Sequence, residues 1–137
     1  MFRKLELDDY NHGYLDLLSQ LANVGTVTFD TFSNFVNSLN DNHKVWVCYL
    51  DGKIVASGTI VKEQKLIHSS CKFARLEDIV VDKSVRHSGL GKKLVNFLVE
   101  LSKDCFRVSL SCKPELAGFY AKNGFIEKPI QMSIQHS

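Results

Sequence analysis

The sequence predicts a single domain of mixed α/β architecture, with a mostly antiparallel central sheet flanked by helices. Its 137 residues are 45% hydrophobic and 23% charged, which is ordinary globular composition, and this length is typical of one domain with its own core. Along the chain, runs with a two-residue hydrophobic period are followed by runs with a helical period. The element order that they predict is β-αα-β-β-β-α-β-α-β.

The first forty residues predict one strand and two helices. Phe2–Leu7 is a short β-rich run, and the acidic pair Asp8-Asp9 is typical of residues that begin a helix. A second helix follows Thr28, where apolar residues recur at i, i+3, i+4 and i+7. These residues are Phe32, Phe35, Val36 and Leu39.

A hairpin is predicted next. Lys44–Leu50 and Lys53–Val61 are β-rich and are joined by Asp51-Gly52, which is a strong hairpin signal. Residues 62–72 are polar, and we expect them to form the irregular end of the second strand and a loop. Leu76–Val81 is a third β-rich run.

The last third of the chain predicts two helices and two strands. Gly89-Leu90-Gly91 opens a long amphipathic helix, and Arg107–Leu110 is the strand after it. Pro114 suits the first turn of another helix, and Gly124 suits its left-handed end. Phe125–Ile134 is predicted to be the last strand.

Composition and charge exclude several classes of protein. The 17 basic and 15 acidic residues give a net charge of +2 without a basic run, so nucleic acid is not an expected partner. No apolar stretch approaches the roughly 20 residues that cross a bilayer, and the N-terminus lacks the apolar core of a signal peptide. The four cysteines form no C-x-x-C pair and are expected to be free and buried. We therefore expect a cytoplasmic protein with no membrane contact.

The most informative segment is the turn that opens the long helix, Arg86–Lys92. A strand that enters a glycine turn and then a helix presents backbone N–H groups to an anion, so the turn suits a phosphate or pyrophosphate. The segment lacks the G-x-x-x-x-G-K-[ST] pattern of a Walker loop, and it follows a hairpin, unlike a dinucleotide-binding G-x-G-x-x-G.

Several segments resemble the GNAT superfamily of N-acetyltransferases. The R-x-x-G-x-G of Arg86–Gly91 is similar to its acetyl-CoA pyrophosphate loop, and Gly118–Phe125 is similar to its late F-Y-x-K-x-G-F helix. Lys65–His68, Leu76–Val81 and Leu21–Gly25 resemble the K-[FIL]-I-H, [VI]-E-D-[IV]-x-V and L-T-x-[VT]-G segments of the glucosamine-6-phosphate N-acetyltransferase family. The predicted element order is also the GNAT order.

The resemblance implies which residues bind the co-substrate, acetyl-CoA. One strand would bind the pantetheine arm and polarise the thioester carbonyl through its backbone: Ile79, Val80 and Val81. The turn would hold the pyrophosphate: Arg86, His87, Ser88, Gly89, Leu90, Gly91 and Lys92. Tyr120 would act as a general acid toward the departing thiol, and the alternative is a tyrosine that only packs beside Phe119 and Phe125.

The resemblance also implies an acceptor site. Glu77 and Asp78 would help to deprotonate the incoming amine, although neighbouring side chains of a regular strand point to opposite faces. Both serve one site only if a bulge re-aims one of them, as the family implies; the alternative is a solvated surface pair. Lys65 and His68 would contact the sugar phosphate, or else be solvated, and Ser111 would face the sugar. No metal site is expected, because the histidines lack ligand spacing.

Five positions depart from the family pattern: Ala22, His87, Ser111, Leu116 and Gln135. Ala22 stands where a substrate-contacting threonine is usual, and Ser111 stands where an acidic residue usually meets the sugar. Gln135 stands where an arginine commonly reaches the phosphate. The resemblance further implies a homodimer in which the last strand, residues 126–134, crosses between subunits.

The implied function is transfer of the acetyl group of acetyl-CoA to the amine of D-glucosamine 6-phosphate, by direct attack in a ternary complex. The product, N-acetyl-D-glucosamine 6-phosphate, would serve UDP-N-acetylglucosamine synthesis. Two alternatives remain open. The first is an acetyltransferase for a different small amine, which the departures on the sugar side favour. The second is a non-catalytic CoA-binding module, which Tyr120, Glu77 and Asp78 oppose.

Overall fold

A computed structural model describes residues 1–137 and contains one five-stranded sheet in the order β1-β2-β3-β4-β5. The strands are β1 Phe2–Lys4, β2 His43–Leu50, β3 Lys53–Gln64, β4 Lys72–Val81 and β5 Arg107–Ser109. The pairs from β1 to β4 are antiparallel, and β5 is parallel to β4. The mixed, mostly antiparallel class predicted from the sequence is confirmed.

Helices cover both faces of the sheet. They are α1 Tyr14–Leu18, α2 Phe29–Ser38, the short segment α3 Ile67–Ser70, α4 Leu90–Leu101 and α5 Ala117–Ala121. Three 3₁₀ turns connect them: Leu7–Asn11, Lys83–Val85 and Pro114–Leu116. None of the helices has the length and apolar character needed to cross a membrane.

Two apolar clusters hold the helices to the sheet. On one face, Leu17 of α1 and Phe32 of α2 pack with Val45 and Val47 of β2. On the other face, α4 packs against the sheet through two fully buried leucines, Leu94 and Leu98. Complete burial of one such side chain stabilises the fold by about 1.5–3 kcal/mol, so α4 is firmly fixed.

The β3–β4 hairpin is longer than the sequence indicates. Residues 62–72 were expected to be an irregular end and a loop, but Lys62, Glu63 and Gln64 pair with Ala74, Phe73 and Lys72. The ladder is made by backbone groups, so polar side chains continue it past the edge of the core. The connection shrinks to residues 65–71.

The predicted last strand is absent. Phe125–Ile134 contains neither helix nor strand, and its apolar side chains lie open to solvent, at 73–86% exposure for Ile126, Ile130, Met132 and Ile134. A strand exists only where another strand pairs with it, and within one chain this segment finds no such partner. The alternation of apolar residues that predicted a strand is therefore left unpaired.

The cysteines are free, as predicted, but only Cys48 is buried. Cys71 and Cys105 are partly exposed and Cys112 is exposed, so the expectation of four buried thiols is wrong. Cys112 lies three residues beyond the end of β5 at Ser109.

Candidate active site

A bulge interrupts β4 at the predicted acidic pair. Thr59 of β3 faces Glu77, whereas Ser57 faces Val80, so β4 carries one residue more than β3 over this stretch. Asp78 has a φ of +50°, a left-handed conformation that aspartate tolerates better than most residues. The bulge on which the two-carboxylate site depends is present.

The bulge brings Glu77 and Asp78 to the same side of the sheet. Leu76 packs toward α4, so its neighbour Glu77 faces the side of α1 and α2. Asp78 faces that side as well, because Val80, two residues further along β4, packs in the cluster formed with α1 and α2. Burial raises the pKa of Tyr14, and the Asp78 carboxylate adds to this rise. The Tyr14 hydroxyl accepts a hydrogen bond from Ser57 Oγ at 3.3 Å, next to the bulge.

Beyond the bulge, one edge of β4 is open. β5 pairs with β4 only at Phe73–Arg75, so residues 76–81 have no strand on that side. The Asp82 N–H donates to Val55 O across the β3–β4 ladder at 2.8 Å. Because backbone groups alternate in direction along an antiparallel strand, those of Val81 face the open edge, where Arg86 Nε donates to Val81 O at 3.2 Å.

The glycine turn connects this edge to α4. His87 and Gly89 have φ values of +68° and +86°, so the histidine that replaces a glycine adopts the left-handed conformation itself. The first bond of α4 runs from the Lys93 N–H to Gly89 O, and the N–H groups of Gly91 and Lys92 have no protein acceptor. Free N–H groups at the N-terminus of a twelve-residue helix suit an anion.

Asp82 fixes the start of the turn. Its side chain accepts a hydrogen bond from the Ser84 N–H at 2.9 Å and lies 3.2 Å from Lys53 Nζ. The Ser84 N–H, followed by the Lys53 ammonium, lowers the pKa of Asp82 to about 2. The carboxylate is therefore charged at neutral pH, and it joins the turn to β3.

Helix α5, which carries Tyr120, lies beside the turn. A Cβ atom on Gly91 would lie 3.4 Å from Phe119 Cζ and 3.5 Å from Val81 Cγ2, so the side chains of Phe119 and Val81 both lie close to the turn at Gly91. Tyr120, the next residue, is 9% exposed and its hydroxyl has no hydrogen-bond partner in the protein. Burial raises the pKa of Tyr120, and the charge of Cys112 raises it further.

Lys65 and His68 lie at the far end of the same strand. The His68 ring is 5.8 Å from the Phe73 ring, and Lys65 Nζ is 5.7 Å from the centre of that ring and 2.9 Å from Glu63 Oε1. Phe73 is about 13 Å from Glu77 along β4, at 3.3 Å per residue. Within one chain these two residues are therefore separated from the acidic pair.

Two contacts near the site were not anticipated from the sequence. Arg75 Nε lies 2.9 Å from Glu77 Oε1, and alternation along β4 is the signal that could have indicated this pair. Ser111 Oγ donates to Gln131 Oε1 at 2.5 Å, so the exposed tail passes beside this predicted sugar contact. No group of three or more His, Cys, Asp or Glu side chains is arranged to hold a metal ion.

The chain is similar in sequence to a known protein family and to enzymes of known name. The family described as "Acetyltransferase (GNAT) domain" matches residues 41–127. A glucosamine 6-phosphate N-acetyltransferase of Arabidopsis thaliana is 40% identical, over 96% of this chain and 93% of the relative. The enzyme of that name in Candida albicans is 36% identical, over 96% of this chain and 92% of its own length.

Solved structures show the same similarity in three dimensions. The crystal structure of glucosamine-6-phosphate N-acetyltransferase from Arabidopsis thaliana superposes with a TM-score of 0.97 at 37% identity, covering 100% of this chain and 98% of that one. A Trypanosoma brucei acetyltransferase gives a TM-score of 0.91 at 30% identity, with 98% of both chains covered. The chain therefore belongs to the GNAT family of acetyltransferases, and proteins named glucosamine 6-phosphate N-acetyltransferase are among its close relatives.

Proposed function

We propose that this acetyltransferase transfers the acetyl group of acetyl-CoA to the amine of D-glucosamine 6-phosphate, yielding N-acetyl-D-glucosamine 6-phosphate for amino-sugar synthesis. The observation that carries the proposal is the β4 bulge, which turns Glu77 and Asp78 toward one side of the sheet. The names of the close relatives supply the acceptor. The pair lies on the strand whose open edge leads into the glycine turn.

Acetyl-CoA fits the residues beside the bulge. The N–H groups of Gly91 and Lys92 lack protein acceptors, so the turn of residues 86–92 offers donors for the pyrophosphate. The open edge of β4 offers the backbone of Ile79–Val81 to the pantetheine arm and to the thioester carbonyl. When bound, acetyl-CoA supplies the acetyl group as an activated thioester.

Three side chains would move protons. The acceptor amine is largely protonated at neutral pH, so Glu77 and Asp78 would take a proton from it, directly or through water, before it attacks. Tyr120 would donate a proton to the departing sulfur. Its pKa is raised, which keeps the phenol protonated and able to donate at neutral pH.

Lys65 and His68 would serve the acceptor from a greater distance, and Ser111 would face the sugar. Within one chain, Lys65 and His68 lie at the other end of β4 from the acidic pair, so we propose that they act in a homodimer, where a second copy supplies them to the site. Exposed apolar residues of the tail support such a dimer, because Ile126, Ile130, Met132 and Ile134 have no cover in one chain. Light scattering of the wild type and of Ile130→Asp tests this assembly.

The decisive experiment measures CoA release from acetyl-CoA with a panel of amines that includes glucosamine 6-phosphate, glucosamine, a polyamine and amino acids. Signal from the exposed Cys112 thiol is subtracted with enzyme alone. We expect turnover with glucosamine 6-phosphate. Turnover only with another amine would reject the acceptor, and tight acetyl-CoA binding without any turnover would reject the enzyme assignment in favour of a binding module.

A further inference from the structure

Arg75 is the cation that lies directly beside the proposed acceptor carboxylates. Its Nε is 2.9 Å from Glu77 Oε1, and both side chains are about half exposed, at 44% and 42%. The two residues are separated by one position on β4, so they share a face. Arg75 therefore lies on the acceptor side of the sheet.

Most of the hydrogen-bonding capacity of Arg75 is unused. Only Nε contacts Glu77, and the two terminal guanidinium nitrogens have no protein acceptor. A guanidinium with free N–H groups in a planar fork matches the oxygens of a phosphate. The other basic side chains of this region lie farther from the acidic pair: Lys72 is the first residue of β4, where it donates to Asn42, and Lys65 lies in the connection before β4, where it pairs with Glu63.

The spacing fits a hexosamine 6-phosphate. Residues two apart on a strand are about 6.5 Å apart, which is of the order of the span between the amine and the phosphate of such a sugar. With the amine at Glu77 and Asp78, the phosphate would reach Arg75 before any residue farther along β4.

We propose that Arg75 determines specificity for the phosphorylated sugar by exchanging partners. In the free protein Arg75 neutralises Glu77. When the acceptor binds, its phosphate takes the guanidinium, and this releases the Glu77 carboxylate for the amine. An unphosphorylated amino sugar offers no phosphate to the guanidinium. Arg75 then stays paired with Glu77, and this carboxylate is less available to the amine. This inference rests on the proposed function, since it concerns the same acceptor.

The test compares the wild type with Arg75→Gln and Arg75→Lys, using glucosamine 6-phosphate and glucosamine as acceptors. For Arg75→Gln we expect KM for glucosamine 6-phosphate to rise at least about 10-fold, as expected from the loss of charge-assisted hydrogen bonds, with kcat within about 3-fold. Turnover of glucosamine should be unchanged or higher, and Arg75→Lys should be intermediate because it keeps the charge without the fork. Acetyl-CoA affinity should not change.

The matched control is Arg107→Gln. Arg107 is a basic residue of the adjacent strand whose guanidinium lies 4.5 Å from the Phe73 ring centre, and its replacement should leave both acceptors unaffected. If Arg75→Gln keeps the wild-type KM, or loses the two acceptors equally, the role of Arg75 is overturned while the proposed function stands. If the wild type does not acetylate glucosamine 6-phosphate at all, both proposals are overturned.

Discussion

Gly58 and Leu98 approach so closely that a Cβ atom on Gly58 would lie 2.8 Å from Leu98 Cδ1. Gly58 is the β3 residue that faces the bulge, and Leu98 is a fully buried residue of α4. The missing side chain allows α4 to pack against the sheet directly behind the bulge. The same contact therefore fixes the helix that begins at the glycine turn and the strand that carries the acidic pair.

Gly58→Ala should destabilise the protein by about 1–3 kcal/mol, the usual cost of overpacking a filled core. Leu98 cannot move away freely, because it is enclosed on all sides. Urea unfolding measures the change. The control is Gly118→Ala, since a Cβ there meets nothing within 4 Å and alanine favours a helix; it should be neutral or stabilising. Equal effects of the two substitutions would contradict the packing argument.

The parts of the fold that local pattern determines could be predicted from the sequence. The hairpin around Asp51-Gly52 forms as expected, and α4 begins at Leu90 after the glycine turn. The hairpin and the start of α4 depend on residues close together in the chain, which is why the sequence reveals them. The bulge at Glu77-Asp78 was expected only from the resemblance to the acetyltransferase family, since the residues alone also allowed a regular strand with a solvated surface pair.

Other features depend on tertiary contacts between residues that are distant in the sequence. The run 125–134 has the composition of a strand but pairs with no strand of this chain. The conformation of α3 could not be predicted from the sequence. His68, Ser69 and Ser70 adopt left-handed φ values of +52°, +62° and +61°, and the segment contains no glycine that would indicate this conformation. The Arg75–Glu77 pair could not be predicted, because the β-rich run that indicates β4 was expected to begin only at Leu76. Arg75 therefore had no assigned place on a strand.

Asp82→Asn should lower the free energy of unfolding by about 1 kcal/mol at pH 7. The effect is small because Lys53, the charged partner of Asp82, is half exposed and solvent screens the ion pair. The pKa of Asp82 is lowered to about 2 in the folded protein, so its stabilising effect is present above the unfolded pKa near 4 and is lost as pH falls toward 2. Urea unfolding at pH 7, 4, 3 and 2.5 should show the two proteins converging.

The same measurement separates the two partners of Asp82. Lys53→Met should cost less than Asp82→Asn, because the Ser84 N–H is the larger cause of the lowered pKa of Asp82. A constant difference between wild type and Asp82→Asn from pH 7 to pH 2.5 would show that the charge of Asp82 does not stabilise the turn.

Gly89→Ala and Gly52→Ala form a matched pair. Both glycines have a φ of +86° and open space where a Cβ would lie, so each substitution should cost about 1 kcal/mol of backbone strain. Only Gly89 precedes α4, and only its replacement should tilt the free N–H groups of the turn. We expect acetyl-CoA to bind about 10-fold more weakly to Gly89→Ala and normally to Gly52→Ala, as measured by calorimetry. Equal affinities would exclude the turn as the anion site.

Tyr120→Phe should reduce acetyl-transfer turnover about 100-fold, the lower range for loss of a general acid, while acetyl-CoA binding stays within about 2-fold. The ring keeps its packing with Phe119 and Phe125, so only proton donation is removed. Tyr10→Phe is the control, because its hydroxyl donates to Val27 O away from the site and its loss should not change turnover.

The pH profile distinguishes a proton donor from a packing residue at position 120. Burial and the charge of Cys112 raise the pKa of Tyr120 above its ordinary value of 10.0. In the wild type, the fall in turnover caused by ionisation of Tyr120 should therefore lie above pH 10. This fall should be missing in Tyr120→Phe. Cys112→Ser removes the smaller of the two causes and should move that fall to lower pH. If Tyr120→Phe keeps more than half of the wild-type turnover and the same alkaline limb, the tyrosine only packs, and another group must protonate the sulfur.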